Sequence, residues 1–474
     1  MGIPARAAAG AAVAALALIL PLEPAYAAEI NGGSMGVVWV LPFAGILLSI
    51  ALLPLLTPQF WHHHFGKISA FWALCFLLPF AARDGIATTG HVLLETTLHE
   101  YIPFIILLLT LFTVAGGIRI GGNMHGSPSL NTTLLIIGTG LASCMGTTGA
   151  SMLMIRPLIR ANDNRRHNVH VVIFFIFLVS NIGGALTPLG DPPLFLGFLK
   201  GVDFFWTTVN LAAPTAFVTV LLLAVFYAID SYYYRKEGVQ PRDPTPDNPT
   251  TIEGGVNFIL LLATVGAVLM SGIWKPGVQI SVAGTVLELQ NICRDLLLLG
   301  ITGLSLLLTD RETRASNDFS WGPIAEVAKL FAGIFVTIIP AIAILRSGMD
   351  GALAPLVGLA SLPDGSPNNL MYFWLSGILS SFLDNAPTYL VFFNMASGDA
   401  ATMMGPLGKT LIAISCGAVF MGANSYIGNA PNFMVKSIAE DMKVKMPSFF
   451  GYMAWSTAIL IPAFILVSLI FFRH

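Results

Sequence analysis

The chain has 474 residues, 55% of them hydrophobic and 10% charged, with a mean hydropathy of +0.78 and a formal net charge of −2. A soluble domain carries about 25% charged residues, so the composition excludes a soluble globular protein, and the near-neutral balance gives nucleic acid no basic surface. The four cysteines are scattered, with no pair at metal-ligand spacing, and read as small packing residues.

Residues 1–27 open with Arg6, continue through an apolar stretch and end on an A-x-A site, "AYA" at 25–27. This is the pattern of a cleavable signal peptide. Cleavage after Ala27 leaves the mature N-terminus outside. Apolar runs long enough to span a bilayer, about 20 residues each, follow at 37–56, 101–117, 210–229, 256–273 and 451–472. The fold class is therefore an all-α polytopic membrane protein. Between the first runs, His62, His63 and His64 follow Phe60 and Trp61. Consecutive helical residues cannot all face one ion, so the tract reads as an interfacial belt rather than a metal site. The polar, proline-rich segment 230–255 divides the chain into a first transmembrane half, 36–229, and a second, 256–472, and reads as a cytoplasmic linker.

Threading the runs from an outside start places segments 57–67, 119–132, 156–170, 230–255, 310–330 and 431–448 on one side, with 15 Lys and Arg against 7 on the other. Positive residues favour the cytoplasmic face, so that side is expected inside. This threading requires the segments around Thr147 and Asp384 to enter and leave on one side, as re-entrant hairpins.

The two halves echo each other. "GLASCMGTTGASML" (140–153) aligns with "GILSSFLDNAPTYL" (377–390) at an offset of 237, pairing Ser143 with Ser380 and placing Thr147 and Thr148 opposite Asp384 and Asn385. "GALTPLGDPPLF" (184–195) aligns with "GANSYIGNAPNF" (422–433) at an offset of 238, pairing Thr187 with Ser425 and Asp191 with Asn429. In the threading above, one copy starts inside and the other outside. The expectation is two inverted-topology repeats, each with a hairpin and a broken helix. That pattern is the sequence signature of secondary transporters. A helix broken at mid-membrane exposes backbone groups that are tolerated only beside protein or a water-filled cavity, and the break is expected near residues 188–193. Carboxylates there mark an ion or proton path. Asp384 and Asp191 each also admit a plainer role, capping the helix that follows. Hydroxyls and amides at Thr147, Thr148, Ser151, Asn181, Thr187, Asn385, Thr388, Asn424, Ser425 and Asn429 complete the candidate ligands for a small hard cation.

The "SSFLDNAPTYL" hairpin and the "NIGGALTPLGDPP" stretch resemble the ion transporter superfamily, most nearly its NhaD-like sodium/proton antiporters and citrate transporters, over roughly 36–472. The resemblance implies sites between hairpin tips and breaks, with Asp384 and Asn385 near the cation, Gly190 and Asp191 beside the first site, and a homodimer. The tips depart from the Ser-Asn-Thr of dicarboxylate carriers, which hold anions with neutral groups. The sequence thus leads to a sodium/proton antiporter of a bacterial-type inner membrane. It needs no cofactor beyond transported sodium and protons and is not an enzyme. The alternatives are a cation-coupled citrate or other organic-anion carrier and, more weakly, an arsenite permease.

Overall fold

Nine helices among the described residues, 30–238 and 248–473 of this computed structural model, are long and apolar enough to cross a bilayer. The protein is a predominantly helical, multi-pass membrane protein of the all-α class, with only short strand pairs between helices among the described residues. The leader at 1–27 and the middle of the expected linker, 239–247, lie outside the described residues. The expected run at 101–117 belongs to a longer span, Ile86–Ala115, and the run at 210–229 lies inside Phe204–Glu237. The helix therefore continues eight residues into the expected linker, because Asp230 is tied into the bundle rather than left in water.

Asp230 sits in a buried polar cluster. Its carboxylate meets Arg165 at 2.6 Å and accepts hydrogen bonds from His170 at 2.8 Å and Asn131 at 2.9 Å. Arg165 also lies 3.6 Å from Glu237, and Asn131 and Asn162 bond each other. A buried ion pair holds only where hydrogen bonds satisfy its remaining atoms. Here the partners come from helix Pro128–Met145 (Asn131), the loop that follows Thr147–Ala161 (Asn162, Arg165), helix Val169–Leu178 (His170) and the long helix Phe204–Glu237.

Each half contains a helical hairpin. The first is Pro128–Met145 followed by Thr147–Ala161. Ser127 caps its start by accepting from the Leu130 N–H, and Pro128 occupies the first turn. The chain reverses at Gly146, whose φ of 81° is a conformation that side chains disfavour. The second hairpin is Asn369–Phe382 followed by Asn385–Ala396, with Asn368 capping its start. Each half also contains a broken helix. Val169–Leu178 gives way to a short 3-10 turn, Ile182–Leu186, and resumes at Pro192–Leu199. Gly408–Met421 gives way to Gly422–Asn424 and resumes at Ala430–Asp441. The first break thus begins at about Val179, ahead of both the glycine pair and the prolines, where the Asn181 side chain turns back to donate to the Ile176 carbonyl.

Four of the six segments expected to share a side are joined by contacts. Strand Arg119–Gly121 pairs with Thr251–Glu253, Arg119 bonds Glu253 at 3.0 Å, Arg156 bonds Asp318 at 3.0 Å, and Asn317 donates to the Gly116 and Ile118 carbonyls. The feet of the first hairpin lie here, with Arg160 bonded to the Ile120 carbonyl. Helix Gly322–Arg346 starts beside this cluster and runs about 37 Å at 1.5 Å per residue. At its far end Arg346 bonds Asn394, at the foot of the second hairpin, at 3.0 Å.

A membrane-embedded junction of hairpin tips and helix breaks

The same hydrogen bonds tie hairpin to break in both halves. Ser143 Oγ donates to the Gly183 carbonyl, as Ser381 Oγ does to that of Met421. Thr187 Oγ1 donates to the Ser143 carbonyl at 2.5 Å, as Ser425 Oγ does to that of Ser381 at 2.5 Å. Leu189 N–H donates to Thr187 Oγ1 and Ile427 N–H to Ser425 Oγ, both at 3.2 Å. All these pairs are spaced by 238, so the hairpin alignment at 237 slips by one residue. Ser143 corresponds to Ser381, and Thr147 to Asn385. Asp384 corresponds to Gly146. Thr187 and Ser425, expected as ion ligands, are clamps holding the hairpins against the breaks.

The breaks close on glycine. A Cβ on Gly190 would lie 2.2 Å from the Gly184 carbonyl oxygen, and one on Gly428 would lie 2.5 Å from that of Gly422. These contacts are backbone to backbone, so neither side can yield cheaply. Gly190→Ala is expected to lower the Tm of the purified protein and its folded yield, with a cost at or above the about 1–3 kcal/mol of ordinary overpacking. Gly428→Ala should act in the same direction, and an unchanged melting curve for both would show that the breaks are looser than drawn.

The tips and breaks meet on one side chain, Asp191, which is 1% exposed. It accepts from Thr147 Oγ1 at 3.0 Å, Asn385 Nδ2 at 2.5 Å and Asn429 Nδ2 at 3.1 Å. Both hairpin tips and both breaks therefore contribute. Asp191 stands at the N-cap position of Pro192–Leu199, yet its carboxylate makes no capping bond. The reason is in the sequence. Pro192 and Pro193 have no N–H to offer, and the Leu194 N–H goes to the Asp191 backbone carbonyl at 3.1 Å. The capping role considered for Asp191 is thus excluded. At Asp384 it is present, because one carboxylate oxygen accepts from the Ala386 N–H at 3.0 Å. Asp384 is half-buried, and its other oxygen takes no hydrogen bond from the described residues.

Residues 32–472 match the family described as "Putative citrate transport". The chain belongs to that family. Among its relatives are proteins named uncharacterized transporters in Mycobacterium bovis and Mycobacterium tuberculosis, each 24% identical over 407 residues, covering 83% of this chain and 83% of the relative. A third, the 46 kDa membrane protein of Mycobacterium leprae, is 23% identical over 331 residues, 67% of this chain and 71% of its own. This family member is a membrane transporter of a small solute and not an enzyme, and the junction at Asp191 is its candidate site.

The remaining candidates sort by what they touch. Ser151 Oγ bonds Ser180 Oγ at 2.8 Å, and the Ser180 carbonyl accepts from Asn429 at 3.1 Å, so both serines flank the junction. Asn181 crosses between halves, donating to Asn432 Oδ1 at 2.7 Å and to the Ile176 carbonyl at 2.8 Å. Asn432 in turn donates to the Gly422 and Ser425 carbonyls. Thr388 Oγ1 bonds back to the Asp384 carbonyl within its helix at 2.9 Å. Asn424 donates to Ser381 Oγ at 2.9 Å. Thr148 is half-buried and takes no part in these bonds. Sequence reasoning missed Ser180, Ser381 and Asn432. The signal for Asn432 was an amide standing where the first copy has the apolar Leu194, one residue before the end of the aligned stretch at Phe433.

The pattern of used and unused atoms has a sign. Among the described residues of the junction, the buried side-chain atoms without a partner are Asn181 Oδ1, Asn385 Oδ1 and Asn424 Oδ1, all acceptors. The donors of these amides are already engaged. Among the described residues no Lys or Arg bonds either aspartate.

Proposed function

We propose that the protein is a sodium/proton antiporter in which a cation and protons compete for the junction built on Asp191 and Asp384. The observation that carries this reading is an unpartnered acceptor, Asn385 Oδ1, on the residue between two carboxylates to which no described cationic side chain bonds, with two further unpartnered acceptors, Asn181 Oδ1 and Asn424 Oδ1, on the adjoining breaks. A small hard cation takes oxygen ligands. An anion needs donors, and here they are spent. Asp191 holds the junction together through three neutral donors. Asp384, with one oxygen unengaged, is the group that exchanges its proton for the ion. The two halves act as inverted copies about this junction. Support comes from the repeated clamps at 238 and from the hairpin feet lying at opposite ends of helix Gly322–Arg346. The protein works as a homodimer in a bacterial-type inner membrane, with the basic cluster around Arg119, Arg156 and Arg165 facing the cytoplasm and the leader removed.

Sodium-dependent proton flux in proteoliposomes, read with an internal pH dye, tests the reading. Asp384→Asn should reduce that flux at least about 100-fold, the effect of removing a group on which the chemistry depends, while leaving the melting temperature near that of the parent because asparagine also caps. Undiminished exchange would remove Asp384 from the mechanism.

The family's description favours a second reading, uptake of citrate coupled to a cation at the same junction. The bound cation, or a metal–citrate complex, would then offset the repulsion between substrate and aspartates. Radiolabelled citrate uptake with sodium or magnesium varied separates the two. Sodium-driven citrate accumulation would replace the antiport reading.

A further inference from the structure

A cleft of about 650 Å³ opens away from the junction, between the end of Pro192–Leu199 and the start of Phe204–Glu237 on one side and helices Val256–Ile273 and Leu289–Leu308 on the other. Its size falls within the range of small-ligand sites, about 300–1,000 Å³. Its depth follows from the helices around it. Asn257, at the start of Val256–Ile273, bonds the Gly117 carbonyl and Thr309 beside the feet of the first hairpin. Asp230, near the end of Phe204–Glu237, is anchored at that same end. Ile273, Leu289 and Phe204 therefore lie together at the opposite end, where spanning helices emerge and lipid headgroups sit.

Both signs of charge line the cleft. Arg294 is 1% exposed, with Nε on Asp295 at 2.8 Å and Nη1 on Asn291 at 3.2 Å, so of its three nitrogens Nη2 alone makes no bond to the described residues. Lys275 is exposed and has no acidic partner among the described residues. Opposite in character are the carboxylates Glu288 and Asp295, already bonded to Gln290 and Arg294, and two acceptors without such a partner. Gln290 Oε1 is buried without a partner, its amide nitrogen being taken by Glu288 at 2.7 Å. Asp203, at the lip, makes no capping bond with its carboxylate. The lining then continues as apolar surface, through Phe205 (56% exposed), Val209 (73%) and Ile273 (75%), onto the lipid-facing side of the bundle.

We infer that this cleft binds one zwitterionic phospholipid with a primary ammonium headgroup, phosphatidylethanolamine, its phosphate on Lys275 and Arg294 Nη2, its ammonium on Gln290 Oε1 and Asp203, and its acyl chains along Phe205, Val209 and Ile273. The charge pattern selects this occupant. An anionic lipid would satisfy the cations and leave Gln290 and Asp203 facing a phosphate. A choline headgroup has no N–H to give an unpartnered oxygen. The bound lipid touches Phe198 and Leu199, at the end of the half-helix that Asp191 begins, so it sits against an element of the transport site.

Native mass spectrometry of the full-length protein in detergent, titrated separately with phosphatidylethanolamine, phosphatidylcholine and phosphatidylglycerol, tests the inference. The ethanolamine lipid should be retained most, and the Lys275→Gln, Asp203→Asn double variant should weaken its retention about tenfold, as losing roughly 1.4 kcal/mol of charge contact requires. Both substitutions fall on exposed residues, so the variant folds, and its melting curve checks that. Equal retention of the three lipids, or unchanged retention by the variant, overturns the proposal. So does equally effective competition by chainless glycerophosphoethanolamine or by citrate, which would make the cleft a site for a soluble ligand.

Discussion

Asp191→Ala is expected to abolish transport and to destabilise the protein in the same step. The substitution leaves Thr147 Oγ1 and Asn385 Nδ2 buried without their acceptor, while Asn429 keeps its second bond to the Ser180 carbonyl. An unsatisfied buried polar group costs about 1–3 kcal/mol, so the two orphaned donors together should cost about 2–6 kcal/mol, read as a lowered Tm of the purified protein. Asp191→Asn separates structure from function. Its amide oxygen still accepts, so the loss of stability should be smaller, but the charge is gone and flux should fall as far as in the alanine variant. Asparagine retaining half of the parental flux would reduce Asp191 to a packing residue. The pair of variants matters because the other three elements of the junction all bond to this one carboxylate.

The second large effect is expected at the other end of the first hairpin. Removing one partner of a buried ion pair costs about 3–5 kcal/mol, because the remaining charge is stranded. Arg165→Ala and Asp230→Ala should each reach that range, since both side chains are fully inaccessible and meet at 2.6 Å. In the Arg165→Ala, Asp230→Ala double variant the loss should be well below the sum of the singles, as expected for residues in contact. Thermal or denaturant unfolding of the three proteins in matched detergent measures this. An additive double variant would mean that the pair does not act as a unit. The foot of the hairpin, which supplies Asn131 and Asn162, is anchored by this cluster, whereas its tip is held through Thr147.

Much of this was legible in the sequence, for physical reasons. Composition settles the membrane class, and glycine, proline and polar residues gathered inside apolar runs, repeated once in each half, mark both hairpins and both breaks. The alignment at 238 carried the register of the breaks correctly because Gly184, Gly190 and their counterparts are fixed by backbone contact. The hairpin alignment slipped by one because similar small residues, Ser380 and Ser381, stand side by side. Only the hydrogen bonds distinguish them, and with the slip corrected Thr147 and Asn385 become equivalent donors to one acid. The different uses of the two aspartates were hidden as well, although "DPP" at 191–193 already lacks the N–H groups a cap would need. The Arg165–Asp230–His170 cluster was invisible because its members are 60 or more residues from Asp230 along the chain. In sequence they read only as loop charges.

The neutral company of Asp191 bears on how tightly the proposed exchange is coupled. A carboxylate paired with a lysine or arginine would be balanced when empty, and the carrier could reorient without cargo. Thr147, Asn385 and Asn429 can share its charge but cannot cancel it. With Asp384 ionised alongside, an empty site would have to carry uncompensated negative charge through a low-dielectric barrier, a costly passage. Loading with a cation or a proton relieves that cost. Slip, the futile return of an empty carrier that would dissipate the gradient, is therefore suppressed by the absence of a positive side chain rather than by a gate.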